Sequence, residues 1–338
     1  MLLGHTREVK LVPVSPGAAE DLDCYVALVN AAEQVDGPPG RPLTRARATY
    51  DLRYGWDGEP TLAFLGLEGT IPVGVVTAYL SSYENLDLAW LEPKIHPEHR
   101  RNGHGTALLA AAEDHFRGAG RPVLVLDGWE SEATRAFGER AGYPVKQIAV
   151  ARNLELTGSP AERDAFAALR AEAQSHGAGY DLVRIDGPAP DELLEELVAV
   201  TEAINDAPND DLEYDDEVHD AARIRAYEQA QVIAGGRFRR VLAVHRGSGE
   251  VAGHTVTVVD GELAAYGEQH DTTVVPAHRG NRLGLRLKAD MLCWLAEVEP
   301  QLRLIRTDNA ESNGPMIAVN ERLGYRIAGR RLILQRTV

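Results

Sequence analysis

Two short stretches, "HRRNGHG" at residues 99–105 and "HRGNRLG" at residues 278–284, set arginine beside closely spaced glycine, each after an apolar strand and before a helical run. Free backbone N–H groups at a helix N-terminus, approached closely where glycine carries no side chain, form a cradle for an anion such as a pyrophosphate. The arginines add formal positive charge. Glycine after a strand also serves simply to turn the chain, but here the loop recurs at the same place in the same order of elements, which favours an anion site.

The elements around the loops repeat as well. In the first half, "VKLVPV" reads as a strand, "AAEDLDCYVALVNAAEQ" and "TRARATYDLRYG" as helices, and "TLAFLGLEG" with "PVGVVTAYLSSY" as a hairpin. "LDLAWLEPKIHP" is a strand that runs into the first loop, and "GHGTALLAAAEDHFRGAG" is the helix that leaves it. A strand, a helix and a strand close the half. The second half repeats this order, with "YDLVRIDG", the helices "PDELLEELVAVTEAIND" and "DEVHDAARIRAYEQAQVIAGG", a hairpin turning at Gly247-Ser248-Gly249, the strand "LAAYGEQHDTTVVPAHRG" and the helix "NRLGLRLKADMLCWLAEVEP". Two copies of one α+β unit follow, 1–155 and 180–338, joined by a helical linker at 156–179. A length of 338 residues suits two such domains.

Composition narrows the function. A net charge of −16 repels phosphate backbones and anionic membranes and favours a cationic amine as substrate. No apolar run approaches the roughly 20 residues that span a bilayer, and "MLLGHTREVKLVPV" has no signal-peptide pattern, so a cytoplasmic location is expected. Cys24 and Cys293 sit in largely apolar helical settings and read as buried thiols. No Walker A lysine loop, His-Glu-x-x-His, paired Cys-x-x-Cys or Gly-x-Ser-x-Gly occurs, so no metal site and no serine hydrolase are expected.

On these residues the chain resembles the GNAT N-acetyltransferase superfamily, whose Arg/Gln-x-x-Gly-x-Gly/Ala loop holds the pyrophosphate of an acyl-CoA. Arg100, Arg101, Asn102, Gly103, His104 and Gly105 match that pattern; Arg279, Gly280, Asn281, Arg282, Leu283 and Gly284 keep its first Arg and last Gly but place Arg282 where Gly is expected. "ERAGY" (139–143) and "ERLGY" (321–325) are similar to the end of the family's last helix, and "TDNAESN" (307–313) to the turn after its fifth strand. "INDAPNDDLEYDDEVHDAARIR" looks like the first helix-loop-helix of tandem GNAT proteins of actinobacteria, and the layout is similar to that of mycothiol synthases, in which the C-terminal half is catalytic. The resemblance implies two tandem GNAT domains, each a mixed, mostly antiparallel sheet flanked by helices, with acetyl-CoA or another acyl-CoA as donor. It extends the expected CoA contacts to Ile95, Thr106, Val274, Val275, Leu285, Asn309 and Asn313.

The same resemblance separates the halves. The family's base is a Glu eleven residues before the loop's first Arg, a place held by Glu268 in the second copy and by Ala89 in the first. The C-terminal domain is therefore expected to be catalytic and the N-terminal one a CoA-binding partner. Strand alternation puts His270 on the face of Glu268, as base or as a positioner of the acceptor, with Gln269 and Asp271 on the other face. Gln269 is expected to touch substrate, Asp271 to be structural, and Trp90, Tyr143 and Tyr325 to be core. The acidic loop 209–217, with Asp211 and Glu213, is expected near the acceptor mouth, where it would attract an ammonium group. The tyrosine that serves the family as acid is replaced by Gly138 and Asn320. The expected activity is direct transfer of an acyl group from CoA to a small amine; the alternatives are a non-catalytic acyl-CoA sensor or carrier-protein partner, and transfer to an alcohol or a protein lysine.

Overall fold

The computed structural model describes residues 7–338. In chain order the elements are β1 (Lys10–Pro13), α1 (Ala19–Asp36), α2 (Arg45–Tyr54), β2 (Leu62–Glu68), β3 (Ile71–Tyr79), β4 (Leu88–Ile95), α3 (His104–Gly118), β5 (Val123–Trp129), α4 (Glu132–Ala141) and β6 (Val145–Glu155). They continue as α5 (Pro160–His176), β7 (Tyr180–Asp186), α6 (Leu194–Glu202), α7 (Ala221–Ile233), β8 (Arg237–His245), β9 (Val251–Val259), β10 (Tyr266–Val274), α8 (Leu283–Val298), β11 (Leu304–Ala310), α9 (Gly314–Arg322) and β12 (Arg326–Thr337). No helix among the described residues is long and apolar enough to cross a membrane.

The chain divides into two compact units. Unit 1 comprises the residues up to Ala149 together with 209–215 and 329–338, and unit 2 comprises 150–208 and 216–328. The repeat in the sequence assigns all of 180–338 to the second half, whereas ten of its residues at the C-terminus and a seven-residue inner segment lie in unit 1. Pairing explains the first: β12 runs antiparallel to β5 from Arg331 opposite Trp129 to Thr337 opposite Val123, and it brings Leu332 and Leu334 into the unit 1 core. Nothing in the local pattern of "RRLILQRT" says which edge it will join, since any strand edge offers the same hydrogen bonds.

Within unit 1 the hairpins β1–β2–β3–β4 are antiparallel and β5 adds to β4 in parallel. Alternation sorts side chains between two helix layers. Phe64, Val76 and Ala78 pack with Leu108, Ala112 and Phe116 of α3, and Ala63, Leu65 and Val75 pack with Leu22, Tyr25 and Leu28 of α1 and with Ala48 and Leu52 of α2.

Unit 2 repeats the plan with β7–β8–β9–β10 antiparallel and β11 parallel to β10. Leu242 and Val251 face Leu194, Leu197 and Val200 of α6 and Ile224 of α7, while Val241, Ala243 and Ala252 face α8. The segment read as a linker holds α5, whose Phe166 and Ala173 are buried in the same core as α8. Ser159 caps α5 through Glu162 N–H at 3.2 Å, and the Glu162 carboxylate accepts from Thr157 and Gly158 N–H. α7 starts at Ala221 rather than at 216 because Asp220 Oδ1 caps Arg223 N–H at 2.7 Å. Cys24 and Cys293 are partly exposed rather than buried.

Truncation after Ala328 tests the placement of the last strand. It removes Leu332, Ile333 and Leu334, each at most 3% exposed, and burial of each such side chain contributes about 2 kcal/mol. Limited proteolysis should then cut within residues 7–149 while leaving 216–328 resistant; equal protection of both units would overturn the assignment.

Candidate active site

The two loops share one construction. Arg100 Nε donates to Ile95 O at 3.1 Å and its terminal nitrogens to Asp36 at 2.7 Å each. Arg279 Nε donates to Val274 O at 2.9 Å, and its guanidinium pairs with Asp206. Each chain then turns left-handed at the next residue and at the third: φ is 64° at Arg101 and 87° at Gly103, 83° at Gly280 and 53° at Arg282. Arginine and glycine have traded places along an unchanged path. Arg282, where the resemblance expects Gly, follows that path at a strain of about 1–2 kcal/mol, and its guanidinium meets Glu172, which also pairs with Arg322.

α3 and α8 leave the loops without a side-chain cap. Their first helical bonds are Ala107 N–H to Gly103 O and Arg286 N–H to Arg282 O, so the N–H groups of 104–106 and 283–285 have no acceptor within the helix. In His104, Leu283 and Leu285 only the backbone is offered, because their side chains are buried. His104 turns inward, with Nδ1 2.7 Å from His99 O and Nε2 3.0 Å from Glu68 Oε2. A Cβ on Gly280 or Gly284 would meet nothing within 4 Å, which leaves room for a bulky anion there. Asn102 and Thr106 are exposed. Asn281 binds the His278 and Arg279 carbonyls and the Tyr180 hydroxyl, bracing the loop. Val275 packs on the α6 core, and Asn313 caps α9 through Met316 N–H at 3.3 Å.

Beside each loop two parallel strands part. In unit 2, β10 and β11 pair from Tyr266 opposite Leu304 to Glu268 opposite Arg306 and no further. At the last paired row Glu268 is half exposed, and its Oε2 lies 3.8 Å from Nε2 of His270, whose side chain is 3% exposed. Nδ1 of His270 is 2.6 Å from the Tyr227 hydroxyl on α7. Burial holds the Tyr227 phenol well above its ordinary pKa, with nearby Asp271 adding to the effect. The phenol therefore keeps its proton and holds the imidazole ring through Nδ1, leaving the Nε2 edge on the side of Glu268. Tyr227 carried no sequence signal, since it lies on another element 43 residues from its partner.

Gln269 is turned away from this row. Its amide donates to Thr255 Oγ1 at 3.0 Å and to Val256 O at 2.6 Å and accepts from Thr257 Oγ1 at 3.2 Å, so it ties β10 to β9. The register with β9 shifts between Gln269 and Thr272, which ends the simple alternation and leaves Asp271 close enough to His270, Glu217 and His219 to feel their charge. Burial pushes Asp271 upward, with His270 pulling against it and Glu217 adding to it.

In unit 1, β4 and β5 pair from Leu88 opposite Val123 to Leu91 opposite Leu126. Beyond that row lies an ion cluster. Lys94 Nζ is 2.7 Å from Glu92 and 3.4 Å from Glu33, and Arg331 reaches Glu92 at 3.3 Å and binds Asp127 through Nε at 2.8 Å. Trp90 Nε1 donates to Asp127 and Trp129 Nε1 to Glu33, so Trp90 has a polar contact where the sequence suggests only core. Burial pushes Glu92 up, but Lys94 and Arg331 more than offset it and leave its pKa at about 2. Tyr143 and Tyr325 are buried.

Asp211 and Glu213 belong to unit 1. Asp211 N–H donates to Lys146 O at 3.1 Å, the Gln335 amide bridges Glu213 N–H and O at 2.8 and 2.7 Å, and Asn85 binds Asp215. Leu212 and Tyr214 between them pack with Leu88, Trp90 and Ile333. The run is thus anchored by its apolar residues, and the carboxylates of Asp211, Glu213 and Asp215 are carried on the N-terminal unit while Asp216 and Glu217 belong to unit 2. Among the described residues no group of three or more His, Cys, Asp or Glu could hold a metal ion.

Residues 32–143 match the model of the acetyltransferase (GNAT) family. Over 97% of the chain and 98% of the other protein, the structure is similar to a tandem GNAT protein from the clavulanic acid biosynthesis pathway, solved without AcCoA, with a TM-score of 0.77 and 25% identity. It shares its fold with a GCN5-related N-acetyltransferase from Sphaerobacter thermophilus, with a TM-score of 0.66 and 16% identity over 97% of this chain and 95% of that one. A fungal GCN5-related glucosamine N-acetyltransferase region also shares the fold, with a TM-score of 0.66 and 15% identity over 97% of this chain and 38% of that one. A search of curated proteins gives no match.

The ion cluster of unit 1 has a pH signature. Glu92 sits at about 2 when folded, below the roughly 4.3 of a free glutamate, so its stabilisation is complete above that unfolded value and disappears as pH falls toward the folded one. Lys94→Met removes the ammonium that opposes burial of Glu92. Unit 1 should lose about 3–5 kcal/mol at neutral pH and its acid unfolding should move to higher pH, followed by the fluorescence of Trp90 and Trp129; an unmoved acid midpoint would show that Glu92 and Lys94 are uncoupled.

Proposed function

Taking the chain as a tandem GNAT protein of the acyl-CoA transferase class, we propose that unit 2 moves an acetyl or other acyl group from CoA directly to a small amine, while unit 1 binds CoA without catalysing. The line of side chains from Tyr227 on α7 through His270 to Glu268, where β10 stops pairing with β11, carries this reading. It sets a carboxylate, half open to solvent and facing an imidazole that is fixed from behind, on the strand that leads into the loop 279–284.

Glu268 accepts a proton from the amine, directly or through one water, as the nitrogen attacks the thioester carbon. The C–N bond forms, the C–S bond breaks, and the CoA thiolate leaves to take a proton from water. His270, oriented by Tyr227, stands 3.8 Å from the Glu268 carboxylate and lines the place where the amine is deprotonated. Direct transfer is supported by both thiols being raised above their ordinary pKa by burial, which makes them poor nucleophiles. The loop N–H groups and Arg279 hold the diphosphate. In unit 1 the position matching Glu268 is Ala89, and Glu92 is held ionised by Lys94 and Arg331, which makes it a weak base. The −16 net charge attracts a cationic acceptor.

Release of free thiol from acetyl-CoA across a panel of amines tests this. Glu268→Gln should lower kcat by about 10²- to 10⁴-fold while acetyl-CoA binding by calorimetry stays unchanged; Arg279→Ala should instead weaken acetyl-CoA. Wild-type turnover in Glu268→Gln would remove Glu268 from the chemistry. Acetyl-CoA binding with no thiol release from any amine would make the chain a non-catalytic acyl-CoA sensor or carrier-protein partner.

A further inference from the structure

Lys288 lies in the middle of α8 at 2% exposure. An ammonium in such a place is costly unless something compensates it. Its Nζ donates to Asn320 Oδ1 on α9 at 2.6 Å and stands 4.9 Å from the Tyr325 ring centroid. No charged side chain shifts it: burial alone brings its pKa down to about 7. Tyr325, the other titratable group facing it, is raised by burial and stays neutral.

The contact continues from the core to the parting of the strands. Asn320, fully buried, donates through Nδ2 to Asn309 Oδ1 at 2.7 Å. Asn309 is partly exposed on β11, beyond the Arg306 row where β10 and β11 stop pairing. An ammonium only donates. It therefore requires the Asn320 oxygen to face it, which turns the Asn320 NH₂ toward Asn309, which in turn must accept with its oxygen. The Asn309 NH₂ is what remains to donate outward. One buried cation thus decides the orientation of two amides that could otherwise flip.

Unit 1 folds on the same plan without this chain. At the same distance from its loop arginine α3 carries Leu109, and before "ERAGY" α4 carries Gly138, where a Cβ would collide with Leu334 Cδ2. The polar chain is therefore not a requirement of the fold.

We propose that Lys288 is a positioning residue that, through Asn320, fixes Asn309 as a hydrogen-bond donor to a carbonyl oxygen of the bound acyl-CoA arm in unit 2. The inference rests on the acyl-transfer reading of that unit. As Lys288 loses its proton it gains the ability to accept, Asn320 is freed to turn, and the Asn309 donor is lost for part of the time. Affinity for acetyl-CoA should fall as pH rises through about 7.

Lys288→Met keeps the length of the side chain and removes the donor. The variant should fold with an unchanged or higher Tm, raise KM for acetyl-CoA about tenfold, the worth of roughly one hydrogen bond, change kcat less, and abolish the dependence of KM on pH between about 6 and 8. Wild-type KM and pH profile in a folded Lys288→Met would overturn the proposal. Should that variant not fold, Asn309→Asp at the partly exposed end carries the test, since a carboxylate cannot donate: a tenfold rise in KM supports the proposal and an unchanged KM refutes it. Wild-type protein that neither binds nor turns over acetyl-CoA refutes the acyl-transfer reading and this proposal together; a wild type that turns over, with both variants unaffected, refutes this proposal alone.

Discussion

The parting of two parallel strands governs each unit. A parallel pair that ends after three or four rows leaves backbone N–H and C=O groups of both strands without ladder partners, in the middle of a sheet rather than at its margin. Such groups must be satisfied. In unit 2, Thr307 Oγ1 donates to Gln269 O at 3.3 Å, just past the last paired row. Under the acyl-transfer reading, the pantetheine arm of an acyl-CoA, which carries its own amides and carbonyls, is the kind of molecule that suits such a parting.

The two units solve the same geometric problem with different chemistry. Unit 1 places two cations, Lys94 and Arg331, among three carboxylates, Glu33, Glu92 and Asp127. Coulomb attraction outweighs burial at Glu92 and Lys94 and favours their charged forms, whereas at Asp127 burial outweighs Arg331 and pushes the carboxyl upward. Unit 2 places a phenol, an imidazole, threonine hydroxyls and amides in the corresponding region, with charges that burial disfavours at Asp271 and Lys288. Of the unit 2 groups, Lys288 is brought by burial to about 7, whereas Glu92 in unit 1 is held ionised by its cations. The same fold thereby carries an ion cluster in one half and a mostly uncharged polar row in the other.

Much of this architecture was legible in the residues. Helical spacing marked the helices, and apolar, β-branched runs marked the strands; β9, buried on both faces, reads as such a run rather than as an alternation. The Arg/Gly loops announced themselves because a left-handed backbone and a free helix N-terminus require particular residues close together in the chain. Glu268 and His270 share a face because they are two residues apart on one strand. Each of these is a local constraint.

What lay outside the sequence's reach depends on which surfaces meet. The placement of residues 329–338 and 209–215 in unit 1 follows from strand-edge pairing and from Leu212 and Tyr214 finding an apolar site, and neither leaves a local mark. The acidic look of "NDDLEYDDE" pointed to a solvated mouth, whereas its two apolar residues decide where it sits. Tyr227 behind His270, and Asn320 between Lys288 and Asn309, are contacts across separate elements. Residue type and spacing determined the fold, the loops and the strand that bears Glu268; only tertiary packing decided which groups are desolvated, which are paired and hence which can give or take a proton, because those properties belong to neighbours that the chain brings together from far apart.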